Sequence, residues 1–147
     1  MQLLAQPAVR VFAFWYLLLV VKMLMLILRT SAVRMRLSSF ASPEDYAAIT
    51  GVAPATSSGP DERIERLRRA LQNDLENILP FFGVGLIYAL SGPSLGMARV
   101  LIGGFALSRI AYTIFYVRGL QPHRTVAFIV GMVFLVCMLI RALWSVL

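Results

Sequence analysis

Arg69, Gln72, Asn73 and Glu76 set a guanidinium, two amides and a carboxylate within about two turns of helix-forming sequence. At the α-helical repeat they share one face with Glu65, while Leu67, Leu71 and Ile78 occupy the opposite face. Side chains that donate, accept and carry both signs suit a zwitterionic ligand with carboxylates and an ammonium group. Arg34 upstream and Arg124 downstream add further guanidiniums. Arg109, Tyr112 and Tyr116 recur at spacings of three and four, which puts them on one helix face. The single cysteine, Cys137, leaves no internal disulfide or thiolate cluster, and the single histidine, His123, argues against a histidine-based metal site or catalytic triad.

The elements that must hold these groups are apolar. Of 147 residues 59% are hydrophobic and 14% charged, and the mean hydropathy is +0.78. Soluble domains carry roughly 45–50% apolar residues, so the composition predicts an all-α membrane protein. Runs of ~18–20 apolar residues span the hydrocarbon core. Four transmembrane helices are expected, over roughly residues 9–29, 72–90, 97–117 and 124–144, in one domain covering 1–147. A signal peptide is the competing reading of the first run, but it lacks a basic leader and a small-residue cleavage site. Lys22 inside that run must snorkel or pair within the bundle. Arg109 in the third run needs a partner, and Asp74 or another carboxylate of the second helix is expected to serve. Pro80 predicts a kink in the second helix, and Pro122 suits the first turn of the fourth.

Between the first two runs the chain is polar. Gly59-Pro60-Asp61 reads as a loop ending at a helix start, and Ser42-Pro43-Glu44-Asp45 as a short helical turn. Asp45 is either a catalytic carboxylate or a cap, with the cap favoured. The arginines from Arg29 to Arg36, from Arg63 to Arg69, and at 118 and 124 fall in or beside the loops after runs one and three. Only Arg10, Arg99 and Arg141 fall on the other side. The net charge of +7 is therefore read as a topology signal, not as a nucleic-acid surface. It puts both basic loops, and the polar helix ends, in the cytoplasm. For Arg29, Arg36, Arg66 and Arg68 this topological role is sufficient. Tyr112 and Tyr116 read either as interfacial aromatics or as part of a site.

The stretch E-R-L-R-R-A-L-Q-N-D-L-E-N-I-L-P-F from Glu65, continued by G-V-G-L-I-Y-A-L-S-G-P, resembles the family of membrane-associated proteins in eicosanoid and glutathione metabolism. The likeness extends to V-K-M in the first run, F-A-S-P-E-D after it, R-I-A-Y-T-I-F-Y in the third and Q-P-H-R before the fourth. Within the family it is nearest the microsomal glutathione transferase and prostaglandin E synthase branches. The resemblance implies a four-helix protomer assembled as a homotrimer, with glutathione as cosubstrate between neighbouring subunits. It implies glutathione binding by Arg34, Arg69, Gln72, Asn73, Glu76, Tyr112, Tyr116 and Arg124. It assigns thiol activation to Arg124, and brings Thr125 and Asp45 in as further catalytic candidates.

The chemistry of these residue types agrees. A free thiol titrates near ~8.5, and a fixed guanidinium favours its thiolate. Arg34 and Arg69 can pair with the two carboxylates of glutathione, and Glu76 can accept from its ammonium. There are also departures from the family pattern. Gln72, Tyr112, Thr125 and Phe128 stand where the prostaglandin synthase branch carries arginine, histidine, serine and tyrosine. Tyr46 stands where the type 1 transferase branch has a cysteine.

The leading expectation is a glutathione transferase or peroxidase acting on a hydrophobic electrophile or lipid hydroperoxide that arrives from the bilayer. A prostaglandin E synthase-like isomerase or leukotriene-type conjugating synthase is the alternative within the enzymes. A non-catalytic lipid-presenting protein is the alternative outside them. The host membrane would be the endoplasmic reticulum in a eukaryote or the inner membrane in a bacterium.

Overall fold

The computed structural model describes residues 2–37, 47–49, 51 and 61–147. A 3-10 turn, Gln2–Ala5, leads into α1 (Pro7–Arg36), followed by α2 (Glu62–Leu90), α3 (Leu95–Arg118) and α4 (His123–Val146). The described residues contain no strand. Helix α1 continues beyond the predicted end of its apolar run, so that Arg34 and Arg36 lie in its last turn. No glycine or proline interrupts this stretch. Thr30 Oγ1 donates to the Leu26 carbonyl at 2.8 Å, and cations complement the negative end of a helix. At the start of α2 the Asp61 side chain accepts from the Arg63 amide at 2.8 Å, satisfying a first-turn donor. Helix α2 is continuous through Pro80.

Three helices, α1, α3 and α4, are long and apolar enough to cross a membrane. Helix α2 does not qualify on that ground, because its first half is charged. Its apolar part, Ile78 to Leu90, reaches only ~20 Å at 1.5 Å per residue, short of a ~30 Å hydrocarbon core.

Helix α1 packs on α2 and α3, and α4 packs on α3 and α2; among the described residues α1 and α4 do not meet. Aromatic rings knit the middle of the bundle. Phe81 stacks on Phe105 with centroids 4.3 Å apart and meets Phe12 at 5.6 Å. Two adjacent glycines let α3 approach both neighbours. A Cβ on Gly103 would lie 3.1 Å from Trp15 Nε1 of α1, and one on Gly104 would lie 2.5 Å from the Phe134 ring of α4. Small residues at such crossings bring helix backbones close.

A second cluster joins Leu26 of α1, Leu67 and Ala70 of α2, and Tyr116 and Val117 of α3. The C-terminal ends of α1 and α3 and the N-terminal end of α2 therefore share one end of the bundle. Outside, the exposed surface is apolar: Leu17, Leu24 and Leu28 of α1 are 61%, 53% and 69% exposed. Such a surface belongs in lipid.

Candidate functional site

Helix α2 presents its predicted stripe. Ile64, Leu67, Ala70, Ile78 and Phe81 are buried, while Arg69, Gln72 and Glu76 are exposed and Asn73 is half-buried. Gln72 Nε2 donates to Glu76 Oε1 at 3.2 Å. That contact orients the carboxylate and leaves it acceptor capacity for an incoming donor.

The facing wall comes from α3 and the start of α4. Helix α3 ends at Gly119, which adopts φ 70° and ψ 23°. Its amide donates to the Tyr116 carbonyl, and the Leu120 amide to the Phe115 carbonyl. This left-handed glycine cap turns the chain sharply. A Cβ there would also come within 2.9 Å of Arg66 Nη1. The short connection lays the first turn of α4 back over α3, so that the Arg124 guanidinium sits 4.9 Å from the Tyr116 ring centroid. Tyr116 continues to Tyr112 at 5.6 Å between rings. In the amide orientation of Gln121 that satisfies both of its ends, its oxygen accepts from Arg124 Nη2 at 2.5 Å and Nε at 3.3 Å, and its nitrogen donates to Thr125 Oγ1 at 3.3 Å.

Between wall and stripe lies a cavity of about 290 Å³, lined by Glu62, Glu65, Arg66, Arg69, Tyr116, Gly119 and Arg124. Glu62 is engaged by Arg66 at 2.7 Å and Glu65 by Arg68 at 3.0 Å. Among the described residues Arg69 and Arg124 form no ion pair. Two guanidiniums without an ion-pair partner among the described residues, on a small cavity, make a site for carboxylate or another anion.

Deeper in the bundle Lys22 and Asp74 are matched internally, whereas Nε and Nη2 of buried Arg109 have no hydrogen-bond partner among the described residues. Lys22 Nζ lies 2.7 Å from Asp74 Oδ1, with the side chains 15% and 0% exposed. It also donates to Thr113 Oγ1 at 2.9 Å, and that hydroxyl lies 3.3 Å from both Asp74 oxygens. Arg109, fully buried, donates through Nη1 to Asn73 Oδ1 at 3.3 Å. Its guanidinium lies 4.7 Å from the Tyr112 ring centroid and 5.4 Å from that of Phe128. Aromatic faces thus take the place of a carboxylate partner.

The model of the MAPEG family matches residues 12–144. The chain belongs to the MAPEG family. Rat (Rattus norvegicus) microsomal glutathione S-transferase 1 is 41% identical over 132 residues, covering 88% of this chain and 85% of the relative. Its human (Homo sapiens) counterpart is 41% identical over 122 residues, covering 82% and 79%. Human prostaglandin E synthase is 34% identical over 143 residues, covering 97% and 92%. With its apolar helices, this MAPEG chain is an integral membrane protein.

The MAPEG chain brings together most of the residues singled out from sequence. Arg69, Tyr116 and Arg124 line one cavity. Gln72, Asn73 and Glu76 continue the same face of α2, and Tyr112 joins them through Arg109. Arg34, half-buried near the end of α1, lines neither this cavity nor the adjoining one of about 300 Å³ on the α1 side of the Glu62–Arg66 pair. Thr125 is exposed and faces Gln121. Asp45, and the turn predicted around it, lie outside the described residues.

One expected pairing is corrected. Asp74 serves Lys22, not Arg109, because both Asp74 and Lys22 point to the α1–α2–α3 seam, whereas Arg109 is drawn to the α4 side by Phe128. Pro122 caps α4 and does not open its first turn. Sequence reasoning did not single out Gln121; its spacing of three from Arg124 was the available signal.

Proposed function

We propose that this chain is a membrane-bound glutathione transferase. In this reading it is a four-span bundle assembled as a homotrimer, which binds glutathione at the cytoplasmic ends of its helices and activates the thiol as thiolate. The observation that carries the reading is the pair of guanidiniums, Arg69 and Arg124, that have no carboxylate partner among the described residues and line one cavity beside Asn73 and Glu76. The names and identities of the relatives supply the ligand. Gln72, Asn73, Glu76, Tyr112 and Tyr116 complete its binding surface.

Two features support the trimer and the fourth span. Gln72 and Glu76 are exposed on α2, which is costly against lipid unless another surface covers them. Arg34 stands away from its own chain's cavity, so a site that uses it takes it from a neighbouring copy. Helix α2 can cross the membrane because Lys22 neutralises Asp74 within the bundle and a neighbour shields the remaining stripe.

The division of labour follows from charge and position. Arg69 and Arg34 hold carboxylates; Glu76 takes the ammonium; Asn73 donates and accepts. Arg124 lies in the first turn of α4, where the helix dipole adds to its own charge. There it favours loss of the thiol proton to solvent. The thiolate gives an electron pair to an electrophilic carbon, forming the C–S bond and expelling the leaving group. With a lipid hydroperoxide it attacks the terminal oxygen, the O–O bond breaks, and the alkoxide takes a proton. A second glutathione then reduces the sulfenic acid, yielding disulfide and water. Hydrophobic substrates enter laterally from the bilayer, where they are already concentrated. Prostaglandin isomerisation is the second-ranked activity. Phe128 offers Arg109 a ring face without a hydroxyl, and Gln72 offers no positive charge.

Ultraviolet titration of the solubilised protein with glutathione at neutral pH tests this directly. Thiolate absorbance is expected in the wild type and lost in Arg124→Ala, with the pH profile for thiolate formation displaced upward. Unchanged thiolate in the variant would overturn the role of Arg124. Absence of glutathione binding would overturn the transferase reading and favour a lipid-presenting role. Cross-linking in mild detergent that stops at monomers or dimers would overturn the trimer.

A further inference from the structure

The opposite end of the bundle holds a larger cavity, about 430 Å³, lined by Tyr88, Ser91 and Ser94 from the α2–α3 corner and by Arg141, Trp144 and Ser145 from α4. Two side-chain donors, Tyr88 and Arg141, line it beside the start of α3. Tyr88 is 1% exposed, yet its hydroxyl has no hydrogen-bond partner among the described residues. A buried phenol in that state retains the full desolvation cost until a ligand supplies an acceptor. Arg141 forms no ion pair among the described residues. The described acidic side chains, from Asp61 to Glu76, all lie at the start or in the first half of α2, so among the described residues this end of the bundle has no carboxylate side chain. The cavity also borders the start of α3, a helix of 24 residues capped by Ser94, whose side chain accepts from the Met97 amide at 3.4 Å; this end of the helix carries positive potential.

The remaining hydroxyls narrow the ligand further. Ser91 Oγ donates to the Tyr88 carbonyl and Ser145 Oγ to the Ala142 carbonyl, each at 2.7 Å. Their protons are committed. The free donors among the described residues are thus the Arg141 guanidinium, the Tyr88 phenol and the Ser94 hydroxyl, which accepts from the Met97 amide and keeps its own proton, a set that matches an anion with several acceptor oxygens. Apolar side chains also line it: Trp144 is 76% exposed and Met97 37%. A tryptophan beside a cation at the end of spanning helices marks the depth of lipid headgroups.

We propose that this cavity binds the phosphate of a membrane phospholipid, with Arg141 and Tyr88 as its side-chain donors and the acyl chains lying along the exposed apolar face of α4. The site is separate from the glutathione cavity and does not depend on it.

The test uses full-length, delipidated protein in detergent with added phosphatidylglycerol, read by native mass spectrometry and thermal unfolding. Wild type is expected to retain the lipid and to gain thermal stability from it. Arg141→Gln should weaken lipid retention about tenfold, the loss of a charge-assisted contact. Arg99→Gln, an exposed arginine that does not line the cavity, should leave retention unchanged. Tyr88→Phe removes only an oxygen: the lipid-free variant should be at least as stable as wild type while losing most of the lipid-induced gain. That variant carries the test if Arg141→Gln fails to fold. Equal retention in wild type, Arg141→Gln and Tyr88→Phe would overturn the proposal, leaving only annular lipid. Displacement of the lipid by equimolar inorganic phosphate would also overturn it, assigning the cavity to a soluble anion.

Discussion

Two groups of charged side chains share the same half of this bundle and meet opposite fates. Lys22, Asp74 and Thr113 close on one another in the seam of α1, α2 and α3, with Asp74 fully buried. Within about one and a half turns of Asp74 on α2, Arg69 and Glu76 face outward, and Arg124 leans over Tyr116 with only an amide on its guanidinium among the described residues. The first group satisfies itself, which is how ionisable residues at membrane depth hold a structure together. The second keeps donors and acceptors free, which a purely structural network would not do. Asn73 bridges the two: its amide oxygen accepts from buried Arg109 while its neighbours on the stripe remain open.

The sharpest way to break this contrast is Asp74→Ala. It strands Lys22 in the seam and is expected to destabilise the protein by about 3–5 kcal/mol, seen as a large fall in the thermal midpoint in detergent. A midpoint within a degree or two of wild type would mean that the pair is not structural. Arg124→Ala should do the reverse, lowering kcat for conjugation by about 100-fold, with the thermal midpoint, oligomer size and glutathione affinity little changed. A matching fall in stability would dissolve the distinction between the two groups.

Glu76→Ala sharpens the roles within the open group. Losing the ammonium acceptor should weaken glutathione binding about tenfold, measured by calorimetry, with a smaller effect on kcat at saturation. Equal effects of Glu76→Ala and Arg124→Ala on both quantities would contradict the separation of binding from activation. The smallest expected change is Gln121→Ala. It frees the Arg124 guanidinium from its amide and should lower kcat by about two- to fivefold while KM holds. Gln121→Asn, too short to reach, should behave like the alanine variant; a shift in KM instead would place Gln121 on the ligand.

Several features were legible from the residues alone because they depend on local rules. Apolar runs located α1, α3 and α4, and the 3.6-residue repeat placed Arg69, Gln72, Asn73 and Glu76 on one face of α2. Asp61 and Gly119 mark helix ends through capping chemistry that acts within a few residues. The motif around Asn73 and Glu76 carried the family. Helix α2 was harder to read, since its polar stripe lowers its hydropathy for the same reason that it interests the chemist.

Partner choice across helices had no local signature. Lys22 and Arg109 both needed a counter-group, and both could in principle have claimed Asp74. Which one did depended on the crossing of α1 over α2 and α3, which Gly103 makes close, and on the ring of Phe128 drawing Arg109 towards α4. The convergence of Tyr88, Arg141 and the start of α3 on one cavity likewise joins positions more than fifty residues apart in the chain. Sequence determined which faces are polar and, apart from the end of α1, roughly where helices begin and end, because hydrogen bonding and burial repeat at short range. Tertiary structure alone decided which charges are paired and which are left free, because a salt bridge between helices depends on packing distances that no periodicity encodes.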